Sequence, residues 1–241
     1  MTQELQSVIE NLYQTFIIYP RKPEMEGCPC CVSSADKEKI HSKQLRLLDE
    51  EDLARYASKA MTTWGDTEDY KHYLPRIFEL LTTRDFIVDT FIVLGKLEYG
   101  QWKNWPENEK DAIVSFLLAW WPDFVKNSSR FDKETFVEIC KLTQDINKVL
   151  NLWTISFDDN SFNNFVELVY DYYNDLTGKR KEFKELDDES IKKLIDWIKK
   201  NSAVLENGFF RYECKDRSFA EKISTALYVF ERVNLTDSTN E

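Results

Sequence analysis

The sequence predicts an all-α protein, either an irregular multi-helix bundle or a HEAT-like stack of about nine helices. Apolar residues recur at i, i+3, i+4 and i+7 through most of the 241 residues, the spacing that lines one face of a helix. Glycine and proline number only six each, too few for the many turns of a sandwich or barrel. Hydrophobic residues make up 42% of the chain and aromatics 14%, enough to fill a core at this length. No fixed-period repeat is visible, so nothing selects the regular stack over the bundle.

Leu5, Val8, Ile9, Leu12 and Phe16 form the first stripe, closed by Pro20 and Pro23. A non-helical stretch covers Cys28 to about Ser34. Leu53, Tyr56, Ala57, Ala60, Met61 and Trp64 form the second stripe, stopped by Gly65. Asp66 is placed to cap the next helix, with Asp69 at its third position in an approximate capping box. That helix carries Tyr70, Leu74, Ile77, Phe78 and Leu81, with a break or kink expected at Pro75. A short apolar helix spans about 89–97 and ends at Gly100. Pro106 suits the first turn of a helix reaching about Lys126, with Ile113, Phe116, Leu117, Trp120 and Phe124 inward and a bend at Pro122.

Phe136, Ile139, Cys140, Ile146 and Val149 read as one helix. The clearest stripe is Phe162, Phe165, Val166, Val169, Tyr172, Tyr173 and Leu176. Asp187 caps a helix carrying Ile191, Leu194, Ile195 and Ile198. Phe219, Ile223, Leu227 and Phe230 mark the last one, before a polar tail expected to fray from Thr236. Short links make neighbouring helices antiparallel. Residues 127–130 are the best boundary, giving halves 1–127 and 131–241. That link is too short to be free, so the halves are expected to pack as one unit.

The net charge of −11 excludes nucleic acid as a partner, since phosphate binding needs clustered lysine and arginine. It favours capture of a basic protein partner. The first residues show neither a positively charged start nor a continuous apolar run, and no stretch approaches membrane-spanning length. A cytoplasmic protein with reduced thiols is expected, since five cysteines cannot all pair. No G-x-S-x-G, H-E-x-x-H, P-loop or G-x-G-x-x-G motif is present, so the sequence leans away from an enzyme.

One stretch departs from chance: Gly27-Cys28-Pro29-Cys30-Cys31. Cys28 and Cys31 have the C-x-x-C spacing with which a tight turn can present two thiolates to one metal ion, and Gly27 and Pro29 suit the turn. His41 and His72 are the chain's two histidines. With Cys28, Cys30 and Cys31 they could complete a Cys₂His₂ or Cys₃His zinc site, which would be structural if closed by four ligands. Packed thiols without metal and a redox pair are the competing readings, the latter disfavoured because no βαβ pattern surrounds the motif. Asp69 and His72 share a helix face at i, i+3, but helix capping accounts for the acidic residues there. Trp64, Trp102, Trp105, Trp120 and Trp121 are expected in the core.

Five segments carry a resemblance: Tyr19-Pro20-Arg21-Lys22-Pro23, Glu26-Gly27-Cys28-Pro29-Cys30-Cys31, His41-Ser42-Lys43, Ala60-Met61-Thr62-Thr63-Trp64-Gly65-Asp66 and Lys71-His72-Tyr73-Leu74-Pro75-Arg76. With Gly95-Lys96-Leu97 and Trp102 to Pro106, they resemble a family of bacterial proteins known only as hypothetical, over about residues 13–126. The resemblance implies common descent and no activity. It places all three clustered cysteines and both histidines in recurrent segments, and 131–241 lies outside it. The expected function is protein recognition or regulation around a cysteine-centred zinc site. The alternative is a metal- or thiol-dependent enzyme using the same residues.

Overall fold

A computed structural model describes residues 2–83 and 86–238. Among these residues helices and turns make the whole fold, and extended pairing is confined to isolated bridges at Trp64. The chain is all-α. It divides into two compact units, Met1–Trp120 and Trp121–Glu241, with the division falling inside a helix.

The first unit contains α1 (Gln3–Phe16), α2 (Ser34–His41), α3 (Glu50–Lys59), α4 (Thr67–Leu81), α5 (Thr90–Tyr99) and the start of α6 (Glu107–Asn127). Its core follows the stripes. Leu5, Ile9, Leu12 and Phe16 of α1 are buried and α1 lies against α4, whose Tyr70, Leu74, Ile77 and Phe78 are fully buried. Each such side chain contributes about 1.5–3 kcal/mol by leaving water. Trp64, Trp102, Trp105 and Trp120 are buried as expected.

One polar contact crosses this core. Lys71 Nζ stands 2.6 Å from Glu109 Oε2, with Glu109 fully buried. Tyr19 donates its hydroxyl to Glu109 Oε1 (2.6 Å) and accepts from Lys71 (3.0 Å). The ammonium also lies 4.3 Å from the Trp105 ring centroid. A buried charge is tolerable only with such partners.

The second unit contains α7 (Lys133–Thr143), α8 (Ile146–Leu152), α9 (Ser161–Glu167), a π-helical turn (Leu168–Tyr172), α10 (Tyr173–Thr177), α11 (Asp188–Asn201), α12 (Ala203–Tyr212) and α13 (Arg217–Ser238). The run α9 to α10 is the predicted stripe, with Phe162, Phe165, Val166, Val169, Tyr173 and Leu176 buried. It packs against α13, which contributes Ala220, Ile223 and Ala226. Trp121 lies at the end-on edge of Trp153 (5.7 Å between centroids) and donates to the Val149 carbonyl.

Several expectations need correction. The second stripe is not all helix: α3 ends at Lys59, because Ala60 turns extended and Met61 adopts φ 62°. Ala60 and Trp64 are buried as the pattern implied, but on a turn. The break allowed for at Pro75 does not occur. Pro75 lies inside α4, whose burial on both sides of it carries the helix through, and α6 continues past Pro122 to Asn127. The helix expected from Phe136 to Val149 is two, separated at Gln144. The polar helix α2 and the helix α12 were not foreseen. α13 runs to Ser238, and the last residues of the tail expected to fray, 239–241, lie outside the described residues. No described helix is long and apolar enough to cross a membrane.

Candidate functional site

The cysteine loop is held by a second segment of the first unit. The Gly65 amide donates to the Glu26 carbonyl (2.7 Å) and the Cys28 amide to the Thr63 carbonyl (2.8 Å), with a bridge between Gly27 and Trp64. This bed is the turn after α3. Its return needs two left-handed residues, Met61 and Gly65, the latter at φ +69°. At Gly65 a Cβ would stand 3.0 Å from Asp69 Cβ and Oδ2, so the residue is glycine for space as well as conformation. Trp64 is fixed from below by Tyr56, ring edge to face at 5.3 Å, and Tyr56 packs on Tyr73 at 4.8 Å.

The loop closes on itself after Cys28. The amides of Cys31 and Val32 both donate to the Cys28 carbonyl at 2.9 Å, a turn for which Pro29 presets the backbone. Met25 and Val32 are the buried anchors on either side. Ser33 then caps α2 in a capping box with Asp36. Arg55 of α3 ties these parts together: Nη2 donates to the Cys31 carbonyl (2.9 Å) while Nε pairs with Asp36 (3.0 Å). Nothing in the sequence marked Arg55, since it has no motif and lies on the polar side of its stripe.

On this support the three sulfurs converge. Cys28 Sγ lies 2.9 Å from Cys30 Sγ, Cys30 Sγ lies 3.6 Å from Cys31 Sγ, and all three are within 4.8 Å of one another. Cys30 is exposed and the other two half-exposed. The Cys30 thiol and backbone contacts hold the Cys28 thiol below its ordinary range. Cys30 is pushed up to about 11 by Cys28 and Cys31. The two thiols share one S–H···S contact and therefore titrate as a pair.

The histidines are placed elsewhere. Among the described residues the three cysteines form the group able to hold an ion, and neither His41 nor His72 joins it. The Cys₂His₂ and Cys₃His sets are thus not assembled. His72 is half-buried on α4 with Nδ1 2.8 Å from the Tyr19 carbonyl, so Nδ1 carries the proton. His41 ends α2 beside Arg21, whose guanidinium donates to the carbonyls of His41 and Lys43 (3.2 Å each). Burial and the Arg21 charge lower the pKa of both imidazoles.

Asp69 is a capping residue, as expected. Its Oδ2 accepts from the Asp66 amide (3.0 Å), and Oδ1 has Lys22 Nζ at 3.5 Å. Burial raises its pKa. Lys22 also holds Asp66 at 2.6 Å. Contacts thus join residues 19–23 to the end of α2, to Asp66 and to His72 of α4, and the cysteine loop to the turn after α3.

Two clefts flank these segments. One, of about 920 Å³, is lined by Pro23, Glu24, Met25, Glu26, Gly27, Lys37, Glu38 and His41. The other, of about 420 Å³, includes Tyr13, Tyr19, Arg46 and His72. Comparison with known proteins finds no matching family model, curated protein or solved structure.

Proposed function

We propose that this chain is a protein-recognition or regulatory protein whose thiol loop binds one thiophilic d¹⁰ cation, zinc above all, through Cys28, Cys30 and Cys31. The observation that carries the reading is the convergence of three sulfurs within 4.8 Å on a loop pinned to its own unit. Sulfurs bound to one zinc at about 2.3 Å are separated by roughly 3.8 Å in a tetrahedron. The 2.9 and 3.6 Å spacings need only small side-chain rotations to reach that. Soft thiolates select zinc or copper(I) over magnesium or calcium.

Three protein donors leave a fourth position for water or a partner's side chain. Beside the loop, three glutamates against one lysine make the 920 Å³ cleft acidic, which suits a basic segment of a partner protein. The open position also favours a second reading, a zinc enzyme, because catalytic zinc keeps such a position. The kinship to the hypothetical bacterial family is part of the same proposal.

The test is cobalt titration of reduced, metal-free protein. A thiolate-to-cobalt charge-transfer band saturating at one equivalent, and abolished by zinc, is the expected result. Cys28→Ser, Cys30→Ser and Cys31→Ser should each weaken binding by more than about a hundredfold, beyond the roughly 10–100-fold loss from an outer-shell partner. His41→Ala and His72→Ala should leave it unchanged. No charge-transfer band, or affinity indifferent to the serine substitutions, would sink the reading.

A further inference from the structure

We infer that the thiol loop is also an oxidation switch: Cys28 and Cys30 close to a disulfide under peroxide, which removes two of three donors and releases the metal. The inference deepens the zinc reading by naming what regulates the site. It rests on spacing and access. The two sulfurs are 2.9 Å apart, the closest pair in the triad, and a disulfide bond is about 2.05 Å long. Less than an ångström of approach separates the dithiol from the bond. Cys30 is exposed, so a small oxidant reaches it without opening the fold. Cys140 is buried in α7, where an oxidant does not reach it, and Cys214 is exposed on a segment outside the loop.

The chemistry balances with hydrogen peroxide as oxidant. One thiolate attacks the peroxide oxygen, giving a sulfenic acid and hydroxide. The neighbouring thiol then attacks that sulfur, an S–S bond forms, and the S–OH oxygen leaves as water. Two thiols lose two protons and two electrons in all; one peroxide becomes two waters. Cys31 remains a thiol. It lies 3.6 Å from Cys30 and can reopen the bridge by exchange when a reductant is present.

The test treats metal-free and zinc-loaded protein with stoichiometric peroxide, followed by intact-mass and peptide mapping. The expected product is a monomer lighter by two hydrogens, with Cys28 linked to Cys30 and two of the five thiols lost. Zinc should leave the loaded protein in step with the bridge and return on reduction. Cys28→Ser and Cys30→Ser should abolish the bridge. Cys31→Ser should keep it while weakening metal binding, which separates the two readings. If the metal reading fails, the metal-free protein still forms the bridge. Sulfinic or sulfonic products, an intermolecular dimer, or zinc loss without the Cys28–Cys30 link would overturn the switch.

Discussion

At the scale of single residues, the loop depends on a glycine that has no side chain to offer. Gly65 sits at φ +69°, a region costing other residues about 1–2 kcal/mol. Its missing Cβ leaves room for Asp69, which reaches back to the Asp66 amide and starts α4. Gly65→Ala should therefore cost about 2 kcal/mol, strain and displaced cap together. Urea denaturation measures it. A loss below about 0.5 kcal/mol, the size of an ordinary surface change, would show that the turn adapts. Gly65 was read in the sequence only as a helix stop. Its second duty, presenting its amide to Glu26, comes from a partner distant in sequence, which periodicity cannot see.

At the scale of elements, the long stripes were legible and the short polar pieces were not. α1, α4, α11 and the α9–α10 run were read from spacing because their apolar faces are buried as spaced. α2 buries only Ile40, so its helicity comes from the Ser33–Asp36 capping box rather than from any stripe. The α7–α8 break was missed for a similar reason. Ile146 and Val149 extend the apolar pattern of Phe136 to Cys140, yet Asp145 caps a new helix by accepting from the Lys148 amide. Gln144 turns the chain at φ 54°. A non-glycine residue there is strained, so Gln144→Gly should stabilise the protein by about 0.5–1 kcal/mol despite glycine's unfolded-state entropy. Thermal denaturation checks the sign; destabilisation would mean that the glutamine's side chain contributes more than its backbone loses. The candidate site was half legible. Cysteine spacing marked the triad, whereas the expectation that His41 and His72 complete the ligand set rested on residue type, and neither ring belongs to the group of three sulfurs.

At the scale of the whole molecule, the pH dependence of stability separates the histidines from the large acidic charge. His41 and His72 both have pKa values lowered by burial, and Arg21 acts in the same direction. In the unfolded chain an imidazole titrates near 6.5. As pH falls through 6.5 the unfolded state takes up these protons before the folded state does. Protons bound preferentially by the unfolded chain draw the equilibrium toward it, so stability is full above about pH 7 and declines from 6.5 downward. Asp36 and Asp49, held below the ordinary carboxylate range, do not contribute in that window. Below pH 5 further losses come from Asp36, held low by the Ser33 amide, and Asp49, held low by Lys43. Asp69 and Asp171, raised by burial, act in the opposite direction there. The expected profile is a plateau at pH 7–8, a first decline setting in below about 6.5, and a steeper one below about 5. Urea midpoints across pH 5–8 should show it, and His41→Gln with His72→Gln should flatten the first decline while leaving the second. A first decline that survives the double substitution would assign it to groups other than these imidazoles, and the lowered pKa of both rings would have to be given up.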